Sequence, residues 1–208
     1  MLKRILFILF LSISVKFYAQ SGFGIKAGAN HSTSIIENSS LVFGRIEVNP
    51  YYKVGYHLGL YNSLEINNNL LFRTEVLFSD SGFSSSDDIF KKSSFFHLYY
   101  LRVPMLFEYK LVNDFNICFG IDPGYLISAS NKRYGRFFDI TQLLNRYDFG
   151  LSGGFEYRVY RNISAGLRYT QSLFSMAQPE YKNDFGDPKD RSDILNKVLR
   201  FTISYRII

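Results

Sequence analysis

From Phe23 to the end of the chain one pattern returns eight times: about ten residues in which apolar or aromatic side chains alternate with small or polar ones, followed by a turn or a polar loop. A period of two sends successive side chains to opposite faces of an extended strand, whereas a helix face needs a period near 3.6. The first run sets Phe23, Ile25, Ala27 and Ala29 against Gly24, Lys26, Gly28 and Asn30, and the last sets Phe201, Ile203, Tyr205 and Ile207 against Arg200, Thr202, Ser204 and Arg206. Such a chain builds strands with one apolar and one polar face.

The polar face decides the environment. It carries glycine beside Arg, Glu and Asp, which suits a confined polar interior, while the aromatic face suits lipid. A soluble barrel would hide the apolar face and show the charges to water. Connection lengths add an independent argument, because 67–69, 111–114 and 160–162 are tight while 35–51, 82–94, 129–146 and 175–196 are long and polar. The expectation is an all-β fold, an eight-stranded antiparallel up-and-down transmembrane β-barrel in an outer membrane. Its short turns and both termini face the periplasm and its long loops are extracellular. Tyr99, Tyr109, Tyr147 and Tyr157, near strand ends, would form interfacial girdles.

The amino terminus supplies the export argument. Lys3 and Arg4 precede an apolar run from Ile5 to Val15, the pattern of a cleaved secretory signal, and Lys16 cuts the run too short for a membrane anchor. The division is a signal peptide over 1–19 and one barrel domain over 20–208. No second long apolar stretch follows, so a membrane-embedded mature chain must cross with strands. The formal charge of +6 falls to +3 once Lys3, Arg4 and Lys16 leave with the leader, which argues against nucleic acid as a partner. Cys118 is the sole cysteine, so an internal disulfide and a Cys-cluster zinc site are excluded.

The inward faces carry Lys26, Arg73, Arg102, Arg158, Arg168, Arg200 and Arg206 with Glu75, Glu108, Asp122, Asp148 and Glu156. In a narrow interior these charges must pair. A lumen network centred on Arg73, Glu75, Arg102, Glu108, Glu156, Arg158 and Arg168 is expected, with Glu75 meeting Arg102 across the third and fourth strands. Pro104, mid-strand and lacking an N–H, should cause a bulge or bend.

No residue set points to catalysis, and the chain reads as a protein that is not an enzyme. His31 beside Ser32, Thr33 and Ser34, and His97 at the outer end of the fourth run, could each give a lipid-facing Ser–His pair, but no orienting group is evident. His57 faces inward without further ligands, and Asp87, Asp88, Asp184, Asp187 and Asp190 lack calcium-loop spacing, so neither a metal nor another cofactor is expected.

The blocks GIKAGAN, RTEVLFSDSG, YLRVPMLFEY, GIDPGYLIS, YDFGLSGGFEY and GLRYTQSL, spread over nearly the whole mature chain, resemble the PorT-like outer-membrane β-barrel proteins of the Bacteroidota. YLRVPMLFEY is the most specific of them. The end differs, with Ile207 in phase with Tyr205 where the family tends to carry an aromatic. The resemblance implies the barrel fold and location, and the family's namesake is associated with the type IX secretion and gliding apparatus. The resulting expectation is an integral barrel with a side-chain-filled lumen, acting structurally or by interaction through its surface loops. The runner-up is an accessory subunit of a secretion or assembly complex, and a barrel-borne lipid-modifying enzyme comes third. Its partners would be outer-membrane lipid, the barrel-assembly machinery during insertion, and an envelope protein complex.

Overall fold

The computed structural model describes residues 21–37, 42–43, 46–47, 49–87, 92–112, 114–133, 135–177, 180–182, 188–191 and 193–208. The expected leader over 1–19 lies outside them, as do Asp88, Asp184 and Asp187. Eight long strands form the wall: β1 (Ser21–Glu37), β2 (Lys53–Glu65), β3 (Leu70–Asp87), β4 (Lys92–Arg102 continued by Met105–Val112), β5 (Phe115–Arg133), β6 (Tyr147–Tyr160), β7 (Ile163–Ser172) and β8 (Asp193–Arg206). Each pairs antiparallel with its neighbours in sequence. The ring closes where β8 returns to β1, from Gly24 opposite Arg206 to Glu37 opposite Asp193.

Alternation sorts the side chains as read from the sequence. Ile25, Leu58, Val76, Phe107, Phe119, Leu151, Phe201 and Ile203 lie exposed on the outside, while Lys26, Arg73, Glu75, Arg102 and Arg200 are buried inside. Among the described residues no helix is long and apolar enough to cross a membrane; the strands do the crossing. Long side chains need room in a narrow ring. In register, Lys26 faces Gly59, Arg102 faces Gly124, Asp122 faces Gly150, Arg168 faces Gly154 and Glu156 faces Gly166. Large charged residues thus interdigitate with the smallest ones, which explains the Gly-plus-charge face.

Three expectations are corrected. Parts of the segments read as long loops are strand: β3 runs to Asp87 and β4 starts at Lys92, with Ser84, Ser85 and Ser86 paired to Phe95, Ser94 and Ser93. Serine reads as loop by composition, but a partner strand already in register extends the ladder regardless of intrinsic preference. Eighteen residues at about 3.4 Å each reach well beyond a hydrocarbon core of about 30 Å.

Pro104 produces no bulge. Arg102 and Met105, on either side of it, keep one register with Leu77 and Thr74 on β3 and with Gly124 and Ile121 on β5. The Pro104 carbonyl accepts the Glu75 N–H at 2.9 Å, and Val103 N–H donates to Pro123 at 2.8 Å. Each proline therefore forgoes one ladder bond, and the intact bonds beside it hold the register. The irregularity falls instead at Tyr99 and Tyr100, opposite Ser128 and Leu126, which leaves Ile127 as the extra residue of a bulge.

The interior is not polar throughout. At the long-loop end Phe83, Leu98, Tyr100, Leu126, Ala129, Met176 and Ile194 form an apolar cluster against which Ile140 and Leu144 pack. The segments 140–146 and 173–177 fold over the mouth. Asn145 N–H donates to the Met176 carbonyl (2.8 Å), Met176 N–H to Ile194 (2.8 Å), and the Thr141 hydroxyl accepts from Ala129 N–H (2.8 Å). The N–H and hydroxyl of Thr141 also donate to Asp139, holding its carboxyl below the usual range.

Candidate functional site

The structure brings five of the seven expected network residues together and separates Arg102 and Arg158 from them. Glu75, on β3, accepts Lys26 Nζ from β1 at 2.6 Å and both Arg168 Nη atoms from β7 at 2.9 Å, a two-pronged fork. Arg73, two residues away on the same face, donates to Glu156 at 2.6 and 3.3 Å and to the Ser63 hydroxyl at 3.0 Å. Glu108 Oε1 lies 3.0 Å from the same Arg73 nitrogen, and the guanidinium sits 4.6 Å from the Tyr61 ring. Three cations thus meet three carboxylates in one layer.

Arg102 belongs to a second layer nearer the long-loop end. It donates to Asp148 and lies 3.4 Å from Asp122, whose other oxygen accepts from Arg200 at 2.5 Å. The expected Glu75–Arg102 pair does not form. Glu75 stands opposite Pro104, through its backbone bond, whereas Arg102 is paired with Leu77, two residues along β3. The length of the intervening hairpin set that offset, and each side chain found partners across the lumen instead. Arg158 also lies outside the buried layers: it is exposed at the short-turn end, 3.7 Å from Asp114. There a cavity of about 350 Å³ opens, lined by Tyr61, Arg73, Glu156, Arg158 and Arg206 among others.

Between the layers His57 bridges Asn30 (2.8 Å) and Thr202 (3.0 Å), which uses both ring nitrogens in neutral hydrogen bonds. His31 stacks on Tyr52 at 4.2 Å, while Ser32 faces inward and donates to the Gly82 carbonyl, so those two neighbours form no pair. Among the described residues no group of three or more His, Cys, Asp or Glu side chains converges to hold a metal ion. Sequence reasoning missed the apolar cap, whose signal was Leu98, Tyr100, Leu126 and Ile194 recurring on the otherwise polar face. It also missed Asp80, which sits in phase with the lipid-facing Val76 and Phe78.

A closed ring of eight antiparallel strands, apolar outside and filled with paired charge inside, defines a membrane-embedded β-barrel of the outer-membrane class. The sequence matches the outer membrane protein beta-barrel domain over residues 17–178, and the chain belongs to that family. The fold is similar to that of Neisserial surface protein A, with a TM-score of 0.54 at 15% identity over 89% of this chain and 97% of that one. It is also similar to Ail, the attachment invasion locus protein of Yersinia pestis, solved with the heparin analogue sucrose octasulfate. There the TM-score is 0.50 at 12% identity, over 90% of this chain and 99% of that one. No curated protein matches the sequence.

Proposed function

We propose that this outer-membrane barrel conducts no solute and works through its outer surface, with both termini and the short turns in the periplasm and the long-loop end outside the cell. The filled interior carries the reading: two self-neutralised layers of buried ions lie beneath an apolar cluster capped by 140–146 and 173–177. An eight-stranded ring has an interior just wide enough for side chains, and here they occupy it. The lipid belt, the barrel-assembly machinery and an envelope protein complex are the partners this reading implies. The likeness of YLRVPMLFEY to the PorT-like group supports an accessory place in a secretion or assembly complex as its finer form. Planar-bilayer recording tests the central point: the purified protein should give a silent membrane, and steps of nanosiemens size would refute a plugged lumen.

A further inference from the structure

At the edge of an aromatic cluster on the outward face, three polar residues in phase with that face lie on three adjacent strands, Asp80 level with Tyr99, and His97 and Ser130 one step nearer the long-loop end. Asp80 on β3 is 4% exposed, and its carboxylate has two partners: Oδ1 takes Lys53 Nζ at 2.6 Å, and Oδ2 lies 3.2 Å from His97 Nδ1 on β4. In register His97 stands directly opposite Ser130 on β5. Residues directly opposite in an antiparallel pair point to the same face with Cβ atoms about 5 Å apart, so a rotamer change brings the Ser130 hydroxyl to the imidazole. On the β3 side His97 stands opposite Gly82, two residues along from Asp80, which stands opposite Tyr99. That glycine has φ +127, a conformation that other residues rarely adopt. The other neighbour of Ser130 is Asp139, whose carboxyl is committed to Thr141.

The depth is informative. Tyr99 stacks with Phe78 at 5.8 Å, Phe78 contacts Tyr56 at 6.2 Å, and His97 stacks on Tyr99 at 6.1 Å. Tyrosines of this kind mark the boundary between hydrocarbon and headgroups. His97, two residues nearer the long-loop end of β4 and about 7 Å along the tilted strand, therefore lies at the headgroup side of that boundary, beside the acyl esters of membrane lipids.

We infer that Asp80, His97 and Ser130 form an Asp–His–Ser hydrolytic site facing the bilayer, which cleaves fatty-acyl esters of membrane lipids. Asp80 accepts a hydrogen bond from Nδ1–H and so fixes the imidazole tautomer, which leaves Nε2 free as a base. Nε2 takes the Ser130 proton as Oγ bonds to the ester carbonyl carbon. The ester C–O bond then breaks, and the imidazolium returns the proton to the departing alcohol oxygen. Interfacial water, deprotonated by the same nitrogen, attacks the acyl carbon; the bond from that carbon to Oγ breaks, the imidazolium returns the proton to Oγ, and the fatty acid leaves.

This rests on the barrel lying in the membrane as proposed, and the experiment separates the two. The full chain is refolded into vesicles of diacyl phosphatidylethanolamine and phosphatidylglycerol, or into the same vesicles with lipopolysaccharide, and released fatty acid is measured. Heat-modifiable migration reports the barrel. Folded protein should release fatty acid in at least one arm, which identifies the lipid. His97→Ala should slow release about 100-fold or more, and Ser130→Ala should reduce it to background. A lipophilic fluorophosphonate should label Ser130 in the wild type and not in His97→Gln, a readout available even if Ser130→Ala fails to fold. No release from either lipid by folded protein, or release that survives Ser130→Ala, overturns the site. Absence of a heat-modifiable band overturns the barrel reading instead.

Discussion

The second charge layer offers a quantitative test of how the lumen is held. Asp148 has Arg102 as its cation among the described residues, whereas Asp122 is shared by Arg102 and Arg200. Arg102 is fully buried and Asp148 is 4% exposed, so Arg102→Met strands a carboxylate out of water, and Asp148→Asn leaves a guanidinium with half its compensation. Removing one partner of a buried pair costs about 3 to 5 kcal/mol, of which the larger share falls to Arg102→Met here. The double variant Arg102→Met, Asp148→Asn leaves Arg200 on Asp122 at 2.5 Å and strands no charge. Its loss should be smaller than the sum of the singles by about 2 kcal/mol, within the range for contacting residues. Urea unfolding from lipid vesicles measures all four corners of the cycle. As a control, Arg102→Met with Glu156→Gln joins residues of different layers and should be additive within about 0.5 kcal/mol. Additive losses for the Arg102 and Asp148 variants, or equal coupling in the control, would refute the assignment of pairs.

Two further outcomes follow from the same geometry. An epitope inserted at Asp87 should be labelled from outside intact cells and one at Asn68 should not; the reverse pattern would invert the proposed orientation. Thr141→Val removes the hydroxyl that satisfies the Ala129 N–H beneath the cap, at a cost of about 1 to 2 kcal/mol, and should speed proteolysis within 140–146 without changing the heat-modifiable shift of the barrel.

The period-two pattern determined strand number, the face each side chain takes and the alternation of short and long connections. Each of those depends only on a residue and its near neighbours along one strand. Glycine beside charge was equally legible as an interior face, because a narrow ring admits a large side chain only where its neighbour is small. Pairing was not legible. Glu75 on β3 meets Lys26 of β1 and Arg168 of β7, and Arg73 meets Glu156 of β6, strands that do not border β3 in the wall. Those meetings depend on the closure register of β8 on β1 and on how far each side chain reaches across the lumen, and neither quantity is written in the spacing along one strand. The same holds for Asp80 and His97. The sequence put His97 on the lipid face as an isolated polar residue and did not single out Asp80, and it took the register between β3 and β4 to set a carboxylate against the imidazole.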